Sequence, residues 1–130
     1  MGESIMEIHH NEYLTGNIGT TLPKLKLKVD ELRRCNWIKI GITTDYQTRA
    51  QTHANSKKFN WKAMHILYTT SSHGYIARAE SELIRYVHEN FLDSTINFID
   101  GGGGINKPED YERFYLYALV QAKRSGIWRI

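Results

Sequence analysis

A chain of 130 residues with 41% apolar and 24% charged side chains is long enough for one real core, and it reads as a single globular domain over residues 1–130. No apolar run reaches the length of a membrane span and no signal-peptide core opens the chain, so no membrane partner is expected. The single cysteine, Cys35, excludes an internal disulfide and a metal–thiolate cluster and suits a reducing, cytoplasmic setting, while the net charge of +3 permits an anionic partner without demanding one.

The first 21 residues are the least legible. Residues 4–8 fit a short strand, and residues 11–21, with two glycines among several Thr and Asn, read as loop. The next stretch supports two readings. Leu25, Leu27 and Val29 alternate with Lys24, Lys26 and Lys28 at the period of a half-buried strand. Leu22, Leu25, Val29 and Leu32 also keep helical spacing, and Thr21 before Pro23 makes a fair helix start; the balance tips to helix over 29–35. Residues 37–43 (WIKIGIT) predict a strand, and residues 46–56 a helix capped by Asp45 or Thr44. A second strand follows over 61–69, where Met64, Ile66 and Tyr68 alternate with Ala63, His65 and Leu67. Ser71 and Ser72 offer caps to a helix over 75–90. Residues 92–106 form a glycine-rich loop holding a short apolar piece at 96–99. Pro108 opens a last helix with Glu109 and Asp110 in its first turn, where the dipole favours acids. Its apolar stripe is Tyr111, Phe114, Tyr115, Ala118, Leu119 and Ala122, and Gly126 ends it. The order predicts an α/β or α+β domain with helices packed on a short sheet.

Three places carry chemistry. A strand bearing Lys39 and Gly41, followed by a helix bearing Arg49 and His53 four residues apart, gathers polar and cationic side chains at one end of a sheet, which suits a phosphate. In the helix over 75–90 the apolar stripe is Ile76, Leu83, Ile84 and Val87, and at about 100° per residue Glu80 falls inside it. Glu82 points away. A glutamate among aliphatic side chains is costly unless paired; its candidate partners are Arg49, Arg78 or Lys39 in an ion pair, or a hard divalent cation. Asn97 then precedes the four glycines 101–104, which let a backbone approach a ligand or turn sharply. Elsewhere Lys24, Lys26 and Lys28, Arg33 and Arg34, Lys57 and Lys58, and Lys123 and Arg124 form basic clusters able to follow a phosphate backbone or simply to keep a surface soluble.

Taken together, IKIGITTD, RAQTH, ARAESELI and NFIDGGGG resemble the GIY-YIG nuclease superfamily over about half of the chain. The resemblance implies a small domain with a short central antiparallel sheet flanked by helices. It also implies a metal-dependent endonuclease that hydrolyses DNA phosphodiester bonds with Mg²⁺ or Mn²⁺. Lys39-Ile40-Gly41 matches the second tripeptide of the family motif, with lysine where tyrosine is usual. Arg49 and His53 match the arginine and the residue four after it, Glu80 the metal-binding glutamate, and Asn97 the late asparagine. Lys57, Lys58, Arg33 and Arg34 are the expected DNA contacts. The family's first tripeptide ends in a catalytic tyrosine, usually about ten residues before the second. No tyrosine stands there, and Tyr13, the only one before Lys39, is expected to serve from an early strand. Sequence specificity is expected from a homodimer or a partner protein. If the tyrosine is missing, the same fold would act as a decayed nucleic-acid- or protein-binding inhibitor from a virus or mobile element.

Overall fold

The computed structural model of the chain describes residues 6–34, 36–55, 60–95 and 105–122. Strand β1 (Glu7–His9) is followed by helix α1 (Ile18–Leu32), strand β2 (Asn36–Thr43), helix α2 (Tyr46–Ala54), strand β3 (Ala63–Thr70), helix α3 (His73–Asn90) and strand β4 (Phe114–Ala122). The sheet runs β1-β3-β4-β2. β4 lies antiparallel between β2 and β3, and β1 adds a short parallel edge to β3. The expected α+β domain with a central antiparallel sheet and flanking helices is what forms.

The helices start where their sequence caps them. Asp45 accepts hydrogen bonds from the Thr48 backbone N–H at 3.2 Å and from its hydroxyl at 2.8 Å, which open α2 and hold the Asp45 carboxyl below its usual range. Ser72 accepts from the Tyr75 N–H at 3.1 Å and starts α3 two residues before the expected position. α1 is a correction. Residues 18–21 are not loop and 24–29 are not strand: Asn17 accepts from the Gly19 N–H at 2.7 Å as the cap, and the helix runs on from Ile18. Ile18, Leu22, Leu25 and Val29 are buried along one stripe, whereas Leu27, which the alternating reading would bury, is 65% exposed. Pro23 sits in the second turn of α1, where it removes one intrahelical bond.

The largest correction is the C-terminal element. The expected helix over 108–126 does not form over its described residues, 108–122. Pro108–Asp110 is a single 3-10 turn, entered through Lys107 in the left-handed region at φ 52° and closed by the Tyr111 N–H on the Pro108 carbonyl at 3.1 Å. The apolar run then extends as β4. Its residues are apolar on both sides, so they satisfy the helical and the extended period alike. The strand gains a hydrogen-bonded neighbour on each edge, and helices cover both sheet faces, the environment that a continuous apolar run fits.

The sheet separates two apolar clusters. On one face Ile38, Ile40 and Ile42 of β2, with Leu116 and Ala118 of β4, pack against α1 and α3. On the other, Tyr117 and Leu119 of β4 and Met64 and Ile66 of β3 pack with Trp61 and with Ala50 of α2. Because side chains alternate along a strand, Lys39, Gly41 and Thr43 fall on this second face.

Candidate functional site

One row of residues crosses the sheet at the site. Gly41 of β2, Tyr117 of β4 and Ile66 of β3 stand opposite one another in register. The Tyr117 ring lies over Gly41, and a Cβ at position 41 would collide with its hydroxyl and Cζ. That close approach explains the glycine in the Lys39-Ile40-Gly41 tripeptide. Lys39 is half-buried two residues earlier on the same strand face and pairs in register with Leu119. From α2, the His53 Nε2 comes within 3.2 Å of the Tyr117 hydroxyl, with the two rings 5.8 Å apart and edge-on.

Electrostatics joins the remaining groups to this row. Burial, then the charges of Lys39 and Arg49, push His53 down to about 4, so its imidazole is neutral at physiological pH. Burial pushes the Tyr117 hydroxyl up to about 12; Arg49 acts against that rise and the Glu80 carboxylate adds to it. Tyr117 is therefore a protonated phenol within the fields of an arginine and a carboxylate, touching a neutral histidine. Lys39 and Arg49 thus act electrostatically on His53, and Arg49 and Glu80 on Tyr117, a residue the sequence does not single out.

Glu80 is 8% exposed, and burial raises its carboxyl above the usual range. Among the described residues it makes no hydrogen bond and no ion pair; the nearby Arg78 instead pairs with Glu82 at 3.8 Å. The structural salt bridge that would account for a buried glutamate is thus not formed with Arg78. Nor do the described residues hold a cluster of three or more His, Cys, Asp or Glu side chains. A lone buried carboxylate is the kind of ligand a hard ion such as Mg²⁺ takes, since that ion binds one or two protein carboxylates and completes its shell with water and phosphate oxygens. It does not fit a site built from several nitrogen or sulfur ligands.

Of the other expected residues, Tyr13, Arg33 and Arg34 are described. Tyr13 is 45% exposed and borders a surface cleft with His10, Asn11, Tyr46, Ile66 and Tyr115; the tyrosine over Gly41 is Tyr117, from the opposite end of the chain. Arg33 caps the end of α1 with its guanidinium 3.9 Å above the Phe91 ring, so it is engaged in packing, while Arg34 is exposed. Asn97, Lys57 and Lys58 lie outside the described residues. The residue nearest to Asn97 that is described, Thr95, bridges to Ile38 on the strand that carries Lys39. Tyr117 escapes sequence reasoning because a helix over 108–126 hides it; the alternation Phe114, Leu116, Ala118, Val120 against Tyr115, Tyr117, Leu119 is the signal that points to it.

Comparison with protein-family models, with curated proteins and with solved structures finds no match to this chain. Among the described residues no helix is long and apolar enough to cross a membrane.

Proposed function

We propose that the protein is a metal-dependent endonuclease that hydrolyses DNA phosphodiester bonds, of the kind its motifs resemble. The observation that supports this reading is the contact of a neutral His53 with Tyr117 over Gly41, under the charges of Lys39, Arg49 and a buried Glu80 that has no protein partner among the described residues. Glu80 would hold one Mg²⁺ or Mn²⁺, which when bound supplies Lewis-acid polarisation of the phosphoryl oxygen and charge for the leaving oxygen. Arg49 neutralises charge that grows on the non-bridging oxygens in the transition state. Lys39 adds a second cation on the strand side of the phosphate and, with Arg49, keeps His53 neutral.

A neutral His53 is the right partner for Tyr117. Its Nε2 is free to accept the phenol proton when Nδ1 carries the ring proton. The Tyr117 oxygen then takes a proton from the attacking water as it hands its own to His53, and the protons balance along the relay. A phenol held near 12 is a weak base alone, so the relay needs both the histidine and the neighbouring arginine.

Incubation of plasmid DNA with Mg²⁺ or Mn²⁺, against an EDTA control, tests the reading. Cleavage should require the metal. Glu80→Gln should abolish cleavage while leaving DNA binding in place, whereas Glu82→Gln, already solvent-facing in its pair with Arg78, should cleave normally. Because burial alone raises the Glu80 pKa, its ionised form opposes folding, and Glu80→Gln should be no less stable than the wild type at neutral pH. Equal loss of cleavage in both variants, or loss in neither, removes Glu80 from the site.

A further inference from the structure

Beside the His53–Tyr117 pair, on the same face of the sheet, lies a cleft of about 390 Å³. Ile66 forms its buried base and is the register partner of Tyr117, one strand spacing away, about 4.8 Å. Tyr115 lines it two residues along β4 from Tyr117, on the same side of the strand, a step of about 7 Å. Tyr46 packs edge-on against Tyr115 at 5.0 Å, and His10 stacks on Tyr46 at 5.8 Å. Exposed at the rim are Asn11 and Tyr13. The cleft therefore offers two half-buried tyrosine rings, the exposed rings of His10 and Tyr13, and one amide.

We infer that this cleft binds one unpaired base of the DNA strand whose phosphate lies near Arg49 and Tyr117. The inference deepens the nuclease reading and rests on it. Flat aromatic faces bind any base by stacking, and an Asn amide can pair with a base edge. The distance from Tyr117 to Tyr115 is on the scale of one nucleotide step, so a strand anchored by its phosphate near Arg49 reaches the cleft with its neighbouring base. Tyr13 is then a stacking surface. Its ring, and not its hydroxyl, does the work. A second cleft of about 420 Å³ is slightly larger but suits a polyanion less well, since Glu12 and Glu31 line it against the single cation Lys28. The cleft bounded by Tyr13 carries no carboxylate in its lining.

Stacking and phosphate attraction separate cleanly in a binding assay without cleavage. Affinity for short oligo(dT) and for an abasic oligomer of equal length is measured by fluorescence anisotropy in EDTA at low salt. The wild type should prefer oligo(dT) by about tenfold, within the range that base–aromatic stacking gives. Tyr13→Phe should keep that preference and Tyr13→Ala should lose most of it, with weak binding to the abasic oligomer unchanged. Equal affinity of the wild type for both oligomers overturns the subsite, as does a preference that survives Tyr13→Ala. Metal-dependent cleavage of plasmid DNA together with either result would leave the nuclease reading standing. Failure of cleavage and of binding to both oligomers would overturn the two together.

Discussion

The two faces of the sheet are built to different rules. On the face covered by α1 and α3, β2 presents Ile38, Ile40 and Ile42, all buried, against Leu25, Val29, Leu83, Ile84 and Val87. On the face covered by α2, the same strand presents Lys39, a glycine and Thr43, and its neighbour presents a tyrosine whose hydroxyl meets a histidine. The eight residues of β2 thus bury one set of alternate side chains in an aliphatic core and set the other beside Tyr117. Glu80 is the one charged residue in the buried stripe of α3, and its field reaches Tyr117. Burying it without a partner among the described residues opposes folding.

The comparison is broken most strongly by exchanging which property each face loses. Leu83→Ala should cost about 2–5 kcal/mol of stability, as deletion of a fully buried leucine side chain does. It should leave the cleavage rate of the folded fraction near that of the wild type. Arg49→Ala should do the reverse. Its side chain is exposed, so denaturant unfolding should change little, while cleavage should slow on the order of 10²-fold. Wild-type cleavage by Arg49→Ala excludes Arg49 from the site.

Gly41→Ala sharpens the boundary between the faces. Added there, a methyl group meets the Tyr117 ring, and overpacking of this kind costs about 1–3 kcal/mol. Unfolding should show that loss, and displacement of Tyr117 should slow cleavage with it. An unaltered midpoint and rate would mean that the ring does not lie over Gly41.

The smallest effect is a pH dependence. His53 is pushed below its usual 6.5 to about 4, so between those values the unfolded chain binds a proton that the folded chain does not. Stability contributed by this site is complete above about pH 6.5 and is lost as the pH falls towards about 4. The groups that act on it are Lys39 and Arg49, with Tyr117 in contact. Denaturation midpoints measured across that window should fall less steeply on acidification in His53→Gln than in the wild type. Parallel slopes would show that His53 does not titrate in this environment.

What could be read from the sequence follows from how local each signal is. Asp45 and Ser72 announce their helices because a cap acts within three residues. Glu80 is legible because helical periodicity places it among Ile76, Leu83 and Ile84 whatever the rest of the fold does. Arg49 and His53 share a face for the same reason. α1 misleads because lysines at 24, 26 and 28 imitate a strand, and only packing against α3 decides for the stripe that buries Leu25 and Val29. β4 is the clearest failure. Its extended form depends on ladders to β2 and β3, both remote in sequence, and nothing in FYLYALVQA favours that outcome strongly. Chain order alone points to Tyr13, whereas sheet order puts Tyr117 next to Gly41. Arg33 read as a free cation, although its guanidinium packs on Phe91.

The central claim is that Tyr117 is the tyrosine of a nuclease site, and single-turnover cleavage by Tyr117→Phe tests it most directly. Tyr86→Phe is the matched control: it removes a hydroxyl that donates to Asp30 at 2.7 Å between α3 and α1, away from Gly41 and His53. Each substitution deletes one oxygen, and circular dichroism should show both variants folded. Tyr117→Phe should slow cleavage on the order of 10²-fold or more, the scale of a lost acid–base group, and Tyr86→Phe should cleave as the wild type does. Cleavage by Tyr117→Phe at the wild-type rate would contradict the account.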